Sequence, residues 1–189
     1  MDNQGTSKRN KKGSAKQNVR RSRFTQIQRF LKPIIPFIRV GFNLEARKNG
    51  NTAHNSATSW NLLHAFDENG EFDYSKARVT MGSLEGAPDA AVSIGEDREI
   101  VFTWQDDSLS RPSSTTGAHP TDQVMLLAYP AGARFSVEML SGARRSAGRE
   151  ILKIARQIPR KKKWHIWIAF ISDNREHVSN SEYLGVVEM

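Results

Sequence analysis

Residues Trp164–Ser172 read W-H-I-W-I-A-F-I-S, and this stretch decides the architecture. In a β-strand successive side chains point to opposite faces, so Trp164, Ile166, Ile168 and Phe170 share one side. His165, Trp167, Ala169 and Ile171 share the other. Both sets are apolar, whereas an antiparallel strand with one solvated face alternates apolar with polar. The segment therefore reads as a central strand, or as one with a face covered by the N-terminal part of the chain. Trp164 and Trp167 read as packing residues, because aromatic side chains are most often buried.

Working outward, the period-2 pattern recurs from Tyr74 onward. Strands are predicted at Ala77–Leu84, Glu99–Gln105, Gln123–Tyr129, Arg134–Met139, Glu150–Ala155, Trp164–Ser172 and Glu182–Val187, with Ala91–Ile94 as a short addition. Turn signals separate them, among them Leu84–Pro88 (LEGAP), Pro130–Gly132 and Ser172–Arg175 (SDNR). No helical run falls between consecutive strands, which argues against parallel crossovers and for an antiparallel β-sandwich.

Upstream the period is near 3.6. Phe24, Ile27, Leu31, Ile34, Ile35 and Ile38 form one helical stripe, with Arg20, Arg21, Gln28, Arg29 and Lys32 on the opposite face. Pro33 and Pro36 interrupt it, so the spacing predicts a helix over Gln17–Lys32 and then a second turn opened by proline. A further helix is predicted over Thr52–Ala65, striped by Ala53, Ala57, Trp60 and Leu63, and broken by Asp67–Gly70 (DENG). The Phe24–Ile38 stripe is too apolar to stand in water and should dock on the sandwich or on another chain.

The net charge is +8, and its distribution matters more than its size. Eight of the 28 Lys and Arg residues, but one of the 20 Asp and Glu residues, lie within residues 1–23. The other 166 residues carry 20 basic and 19 acidic side chains, so the high pI belongs to a basic arm. Such arms either keep a protein solvated or bind polyanions without sequence preference. The apolar run Phe30–Phe42 follows this arm as a signal h-region would, yet Lys32, Arg39 and two prolines argue against a secretory signal. A cytoplasmic location is the default expectation. No window of eighteen apolar residues is present to span a membrane.

Catalytic chemistry has little support. Cysteine is absent, which removes thiolate nucleophiles, disulfides and Cys-based metal sites. The histidines at 54, 64, 119, 165 and 177 form no H-x-H or H-E-x-x-H. The carboxylate pairs Asp67–Glu68, Glu96–Asp97 and Asp106–Asp107 sit in predicted turns, where Asp serves local backbone bonds. Neither a G-x-S-x-G elbow nor a phosphate-binding glycine loop is found. No catalytic residue, cofactor or metal ligand is expected. Basic loop clusters remain: Arg144–Arg145, and Arg160–Lys163 (RKKK) before the Trp164 strand.

Two resemblances extend this reading. Glu99–Gln105 (E-I-V-F-T-W-Q), with its Trp near the strand end, resembles strand B of a fibronectin type III domain. Gln123–Tyr129 and Trp164–Ser172 resemble strands C and F, and the polar run Asp173–Glu182 resembles the F–G region. The ordered motifs Arg21–Phe42 (RSRFTQIQRFLKPIIPFIRVGF), Ala53–Leu62 (AHNSATSWNL), Asp73–Leu84 (DYSKARVTMGSL), Gly142–Gly148 (GARRSAG) and Ser179–Gly185 (SNSEYLG) are similar to those of a bacterial domain family of unknown function. That resemblance carries no activity, cofactor or catalytic residue with it.

The expected fold is α+β and mainly β: N-terminal helices docked on a fibronectin-III- or Ig-like antiparallel β-sandwich. The expected organisation is a disordered basic arm over 1–18, a helical segment over 19–73 and a β-sandwich over 74–189. The expected function is a non-enzymatic protein-binding or assembly module. The alternative is a nucleic-acid-associated protein that binds through its arm without sequence specificity. Its candidate polyanion contacts are Lys8, Arg9, Lys11, Lys12, Lys16, Arg20, Arg21, Arg23, Arg160, Lys161, Lys162 and Lys163.

Overall fold

A computed structural model describes residues 14–110, 117–159 and 162–189. Helix α1 spans Ala15–Leu31 and is opened by a capping box, in which Ser14 accepts from the Gln17 backbone and the Gln17 side chain accepts from the Ser14 N–H. That cap lies inside the span assigned to the arm, so Ala15–Asn18 are helical. Pro33 opens a 3₁₀ turn, Lys32–Ile34, and Pro36 opens helix α2, Ile35–Gly41. Both prolines sit where their missing N–H costs no helical bond. Helix α3 spans Asn43–Lys48, and α4, Ala53–His64, is capped by Thr52.

Among the described residues seven strands follow: β1 Ala91–Ile94, β2 Glu99–Thr103, β3 Gln123–Pro130, β4 Val137–Met139, β5 Arg149–Lys153, β6 Lys163–Ile171 and β7 Glu182–Glu188. They form a three-stranded sheet in the order β1-β2-β5 and a four-stranded sheet in the order β4-β3-β6-β7. Every pairing is antiparallel. This is the A-B-E and C′-C-F-G arrangement of a fibronectin type III-like sandwich. The register of β7 against β6 shifts between Ile166 and Trp167, where Gly185 takes φ +99°, a conformation that glycine adopts without strain.

The two central strands, β3 and β6, separate two cores. Val124, Leu126 and Ala128 of β3 and Trp164, Ile166, Ile168 and Phe170 of β6 face the other sheet and meet Ile100, Phe102 and Leu152. Met125, Leu127, Tyr129, Trp167, Ala169 and Ile171 face the helices and meet Ile27, Phe30, Leu31, Ile34, Phe37, Ile38 and Phe42. Covering by the helices is thus what permits β6 to be apolar on both faces. Fully burying one such Phe or Ile contributes roughly 1.5–3 kcal/mol, so the seven helical residues are a major part of the fold's stability.

Three expectations need correction. The segment Ala77–Leu84 forms no ladder beyond a single bridge between Leu84 and Ser179. Its backbone is occupied by groups from two layers: Arg78 exchanges two hydrogen bonds with the Asn61 side chain of α4, both 3.0 Å, while the Val79 N–H donates to Ser181 Oγ and the Met81 N–H to the Gly41 carbonyl. It is a strap between helices and sandwich. A Cβ on Gly41 would lie 2.5 Å from Thr80 Cγ2, so only glycine lets α2 approach the strap this closely. Phe24 is 48% exposed, and the stripe of α1 turns instead through Ile27, Phe30 and Leu31. Leu63 is 80% exposed, because α4 buries Ala57, Thr58 and Asn61 toward the strap.

Candidate binding surface

Four of the cations singled out in the sequence, Lys16, Arg20, Arg21 and Arg23, lie on α1, which packs beside α4. Lys16, Arg20 and Arg21 are exposed on the first half of α1, ahead of the turn where the helix becomes buried. A groove of about 610 Å³ runs between the two helices, lined by Lys16, Val19, Arg20, Arg23, Leu62 and Leu63. A second hollow of about 570 Å³, lined by Arg20, Arg21, Phe24 and Leu62, adjoins it. Val19 is 54% exposed; with Phe24 and Leu63 it makes an apolar stripe rimmed by cations. Neither α1 nor α4 contains an Asp or Glu. Arg23 is partly anchored, with its guanidinium 4.9 Å from the Phe66 ring centroid.

Lys8, Arg9, Lys11, Lys12, Arg160 and Lys161 lie outside the described residues. Lys163 opens β6, and Lys162 just before it pairs its backbone with Met189 and sets its ammonium 5.9 Å from the Phe135 ring. Neither lines the α1–α4 groove. Trp164 and Trp167 are buried, so they pack rather than present a stacking face to a ligand.

Arg145 departs furthest from its sequence reading. It is fully buried, and its Nε pairs with Asp122 at 3.3 Å, while its two terminal nitrogens donate to the carbonyls of Gly86 and Glu85. Its guanidinium stacks 4.2 Å from the Phe170 ring centroid, and its carbonyl accepts the Trp104 indole N–H at 2.7 Å. A buried charge with each of its three nitrogens hydrogen-bonded is a structural keystone. Arg144 beside it is exposed.

The histidines are also dispersed. His64 stacks on Trp60 with centroids 3.9 Å apart. His165 stacks on Tyr74 at 3.9 Å and shares a 2.7 Å hydrogen bond with the Tyr183 hydroxyl. Burial lowers the His165 pKa to about 4, so it is neutral at physiological pH. Among the described residues, no three His, Asp or Glu side chains group as a metal would require. Asp67 and Asp106 serve their own turns, accepting from the N–H of Glu71 and of Ser108.

Sequence reasoning passed over a third collection of cations. Arg29, Lys32 and Arg134 surround a cavity beside Tyr129. The charged face of α1 marked the first two, but nothing in the one-dimensional pattern joined them to a residue a hundred positions away.

The geometry defines a class: a fibronectin type III-like sandwich whose four-stranded sheet carries a helical layer. The chain belongs to the DUF6266 family, a family of unknown function, with a match over residues 1–185. Among solved structures, the FN1–FN3 domains of chicken CNTN1 are similar over 57% of this chain, with 16% sequence identity and a TM-score of 0.39. That match takes in 35% of the CNTN1 chain. No curated protein matches. Among the described residues, no helix is long and apolar enough to cross a membrane.

Proposed function

We propose that this chain is a non-enzymatic binding module that captures an acidic amphipathic helix of another protein on the α1–α4 surface. The supporting observation is the apolar stripe of Val19, Phe24 and Leu63 beside Lys16, Arg20 and Arg21, on two helices without a carboxylate. Contiguous exposed apolar area is a mark of interaction surfaces, and the one-signed rim favours a partner of opposite sign. An amphipathic helix with anchors one and two turns apart is the segment that fits a groove between helices.

The test is a titration of the full chain with a designed acidic amphipathic peptide, and with the same apolar anchors on a basic helix. Binding of the acidic peptide alone, weakened by about tenfold or more in Leu63→Asp and Val19→Asp, supports the reading. Equal affinity for both peptides, or none, contradicts it.

The rival is polyanion binding through the arm, supported by eight cations within residues 8–23. Its signature is retention of random duplex DNA that falls steeply with salt and disappears when residues 1–23 are removed. Leu63→Asp would leave that retention almost intact.

A further inference from the structure

The cavity between the end of α1 and the β3–β4 turn holds about 540 Å³. Arg29 comes from the last turn of α1, Lys32 caps that helix, and Arg134 follows the turn after β3. A helix C-terminus attracts cations, which accounts for Arg29 and Lys32 by themselves. It does not account for Arg134, which arrives at the same cavity from the other layer. Among the described residues, none of the three forms an ion pair with a carboxylate.

The walls are fixed with respect to each other. Ser136 Oγ donates to the Pro33 carbonyl at 2.9 Å, tying the strand side to the helix side. The turn closes with the Ala133 N–H on the Pro130 carbonyl at 2.9 Å, and Gly132 sits at φ +72° within it. Tyr129 is buried against this turn, its hydroxyl donating to the Ala133 carbonyl at 3.3 Å. Burial raises the Tyr129 pKa to about 12, so the phenol adds no negative charge to the cavity. Pro33 and Ala133 supply apolar wall beside the three cations, which are exposed at its rim.

We infer that this cavity is a binding site for a small phosphate monoester. Its phosphoryl group would lie among Arg29, Lys32 and Arg134, and its organic group against Pro33 and Ala133. A phosphate monoester brings close to two negative charges and three acceptor oxygens, which matches three cationic donors better than a carboxylate does. Arginine forks add bidentate geometry that a lysine lacks. The cavity is also larger than a bare phosphate ion needs, which leaves room for the ester's organic part.

The test is calorimetric titration of the full chain with phenyl phosphate, inorganic phosphate and benzoate. Saturable binding is expected for phenyl phosphate, weaker competing binding for inorganic phosphate, and the weakest for benzoate. Arg134→Gln and Arg29→Gln should each weaken phenyl phosphate binding by about tenfold or more while the melting transition is retained. Leu63→Asp, outside this cavity, should leave it unchanged. No saturable binding, or unchanged affinity in both arginine variants, would overturn the inference. Retention on phosphatidic acid vesicles with no response to phenyl phosphate would overturn it too, because a lipid surface would then be the source of the phosphate.

Discussion

The two faces of the four-stranded sheet are both buried, but by different chemistry. The face toward β1-β2-β5 is packed with aliphatic and aromatic side chains, with the buried Arg145–Asp122 pair beside Phe170 and the Trp104 indole on the Arg145 carbonyl. The face toward the helices is rich in side chains with an apolar body and a polar tip. Phe30 touches Phe72, Tyr74, Tyr129 and Trp167, and around them the indole of Trp167 donates to the Ala77 carbonyl while His165 bonds Tyr183. A sandwich needs only the first face to be covered. The second became a core because the chain supplies helices to cover it, and its polar tips fix how the strap and helices seat.

The sharpest way to break this comparison is to empty the helix-side core. Trp167→Ala should cost about 3–5 kcal/mol in a urea unfolding experiment, as a large buried aromatic does. A cost under about 1 kcal/mol would mean that the helices are an appendage and not a core layer. On the other face, Asp122→Asn removes the charge of the carboxylate that pairs with buried Arg145, and an expected loss of about 1.5–3 kcal/mol follows from a hydrogen bond to a charged group. Asn61→Ala targets the strap between the two: the Arg78 N–H and carbonyl lose their partner, and about 1–3 kcal/mol should be lost.

Acid titration sharpens the comparison further. His165 is held at about 4 when folded, against 6.5 when free, so the unfolded chain binds the extra proton between those values. Its stabilising contribution is fully present above pH 6.5 and is lost as pH falls toward 4, by up to about 1.4 kcal/mol per pH unit. Burial raises the pKa of Glu138 and of Glu182, and a raised carboxylate pKa acts in the opposite direction, favouring the fold as pH falls through it. The difference between the protein and His165→Gln isolates the histidine, and its slope should vanish in the variant. The smallest effect is expected from Leu63→Asp, whose unfolding free energy should change by no more than about 0.5 kcal/mol.

The sandwich was legible because β3 and β6 carry their packing in strict alternation. The doubly apolar Trp164–Ile171 run even announced a second cover. The strap was not legible as such: Ala77–Leu84 alternates like a strand, but its partners are Asn61 and Ser181, polar side chains far away in sequence. Phe24 and Leu63 sit at helical spacing with buried neighbours, and only the third dimension shows that both are exposed. Arg145 looked like loop charge because a buried arginine differs from an exposed one only in its surroundings. The three cations around Tyr129 escaped for the same reason, since Arg134 joins Arg29 and Lys32 through packing alone.

The central claim is that the helical layer and the four-stranded sheet share one core, and native-state hydrogen exchange on the full chain addresses it most directly. Amides of residues 27–42 and of β6 should open with the same free energy, close to that of global unfolding, and Trp167→Ala should lower both together. Exchange of residues 27–42 through a separate opening of much lower free energy, with β6 still protected and unaffected by that substitution, would contradict it.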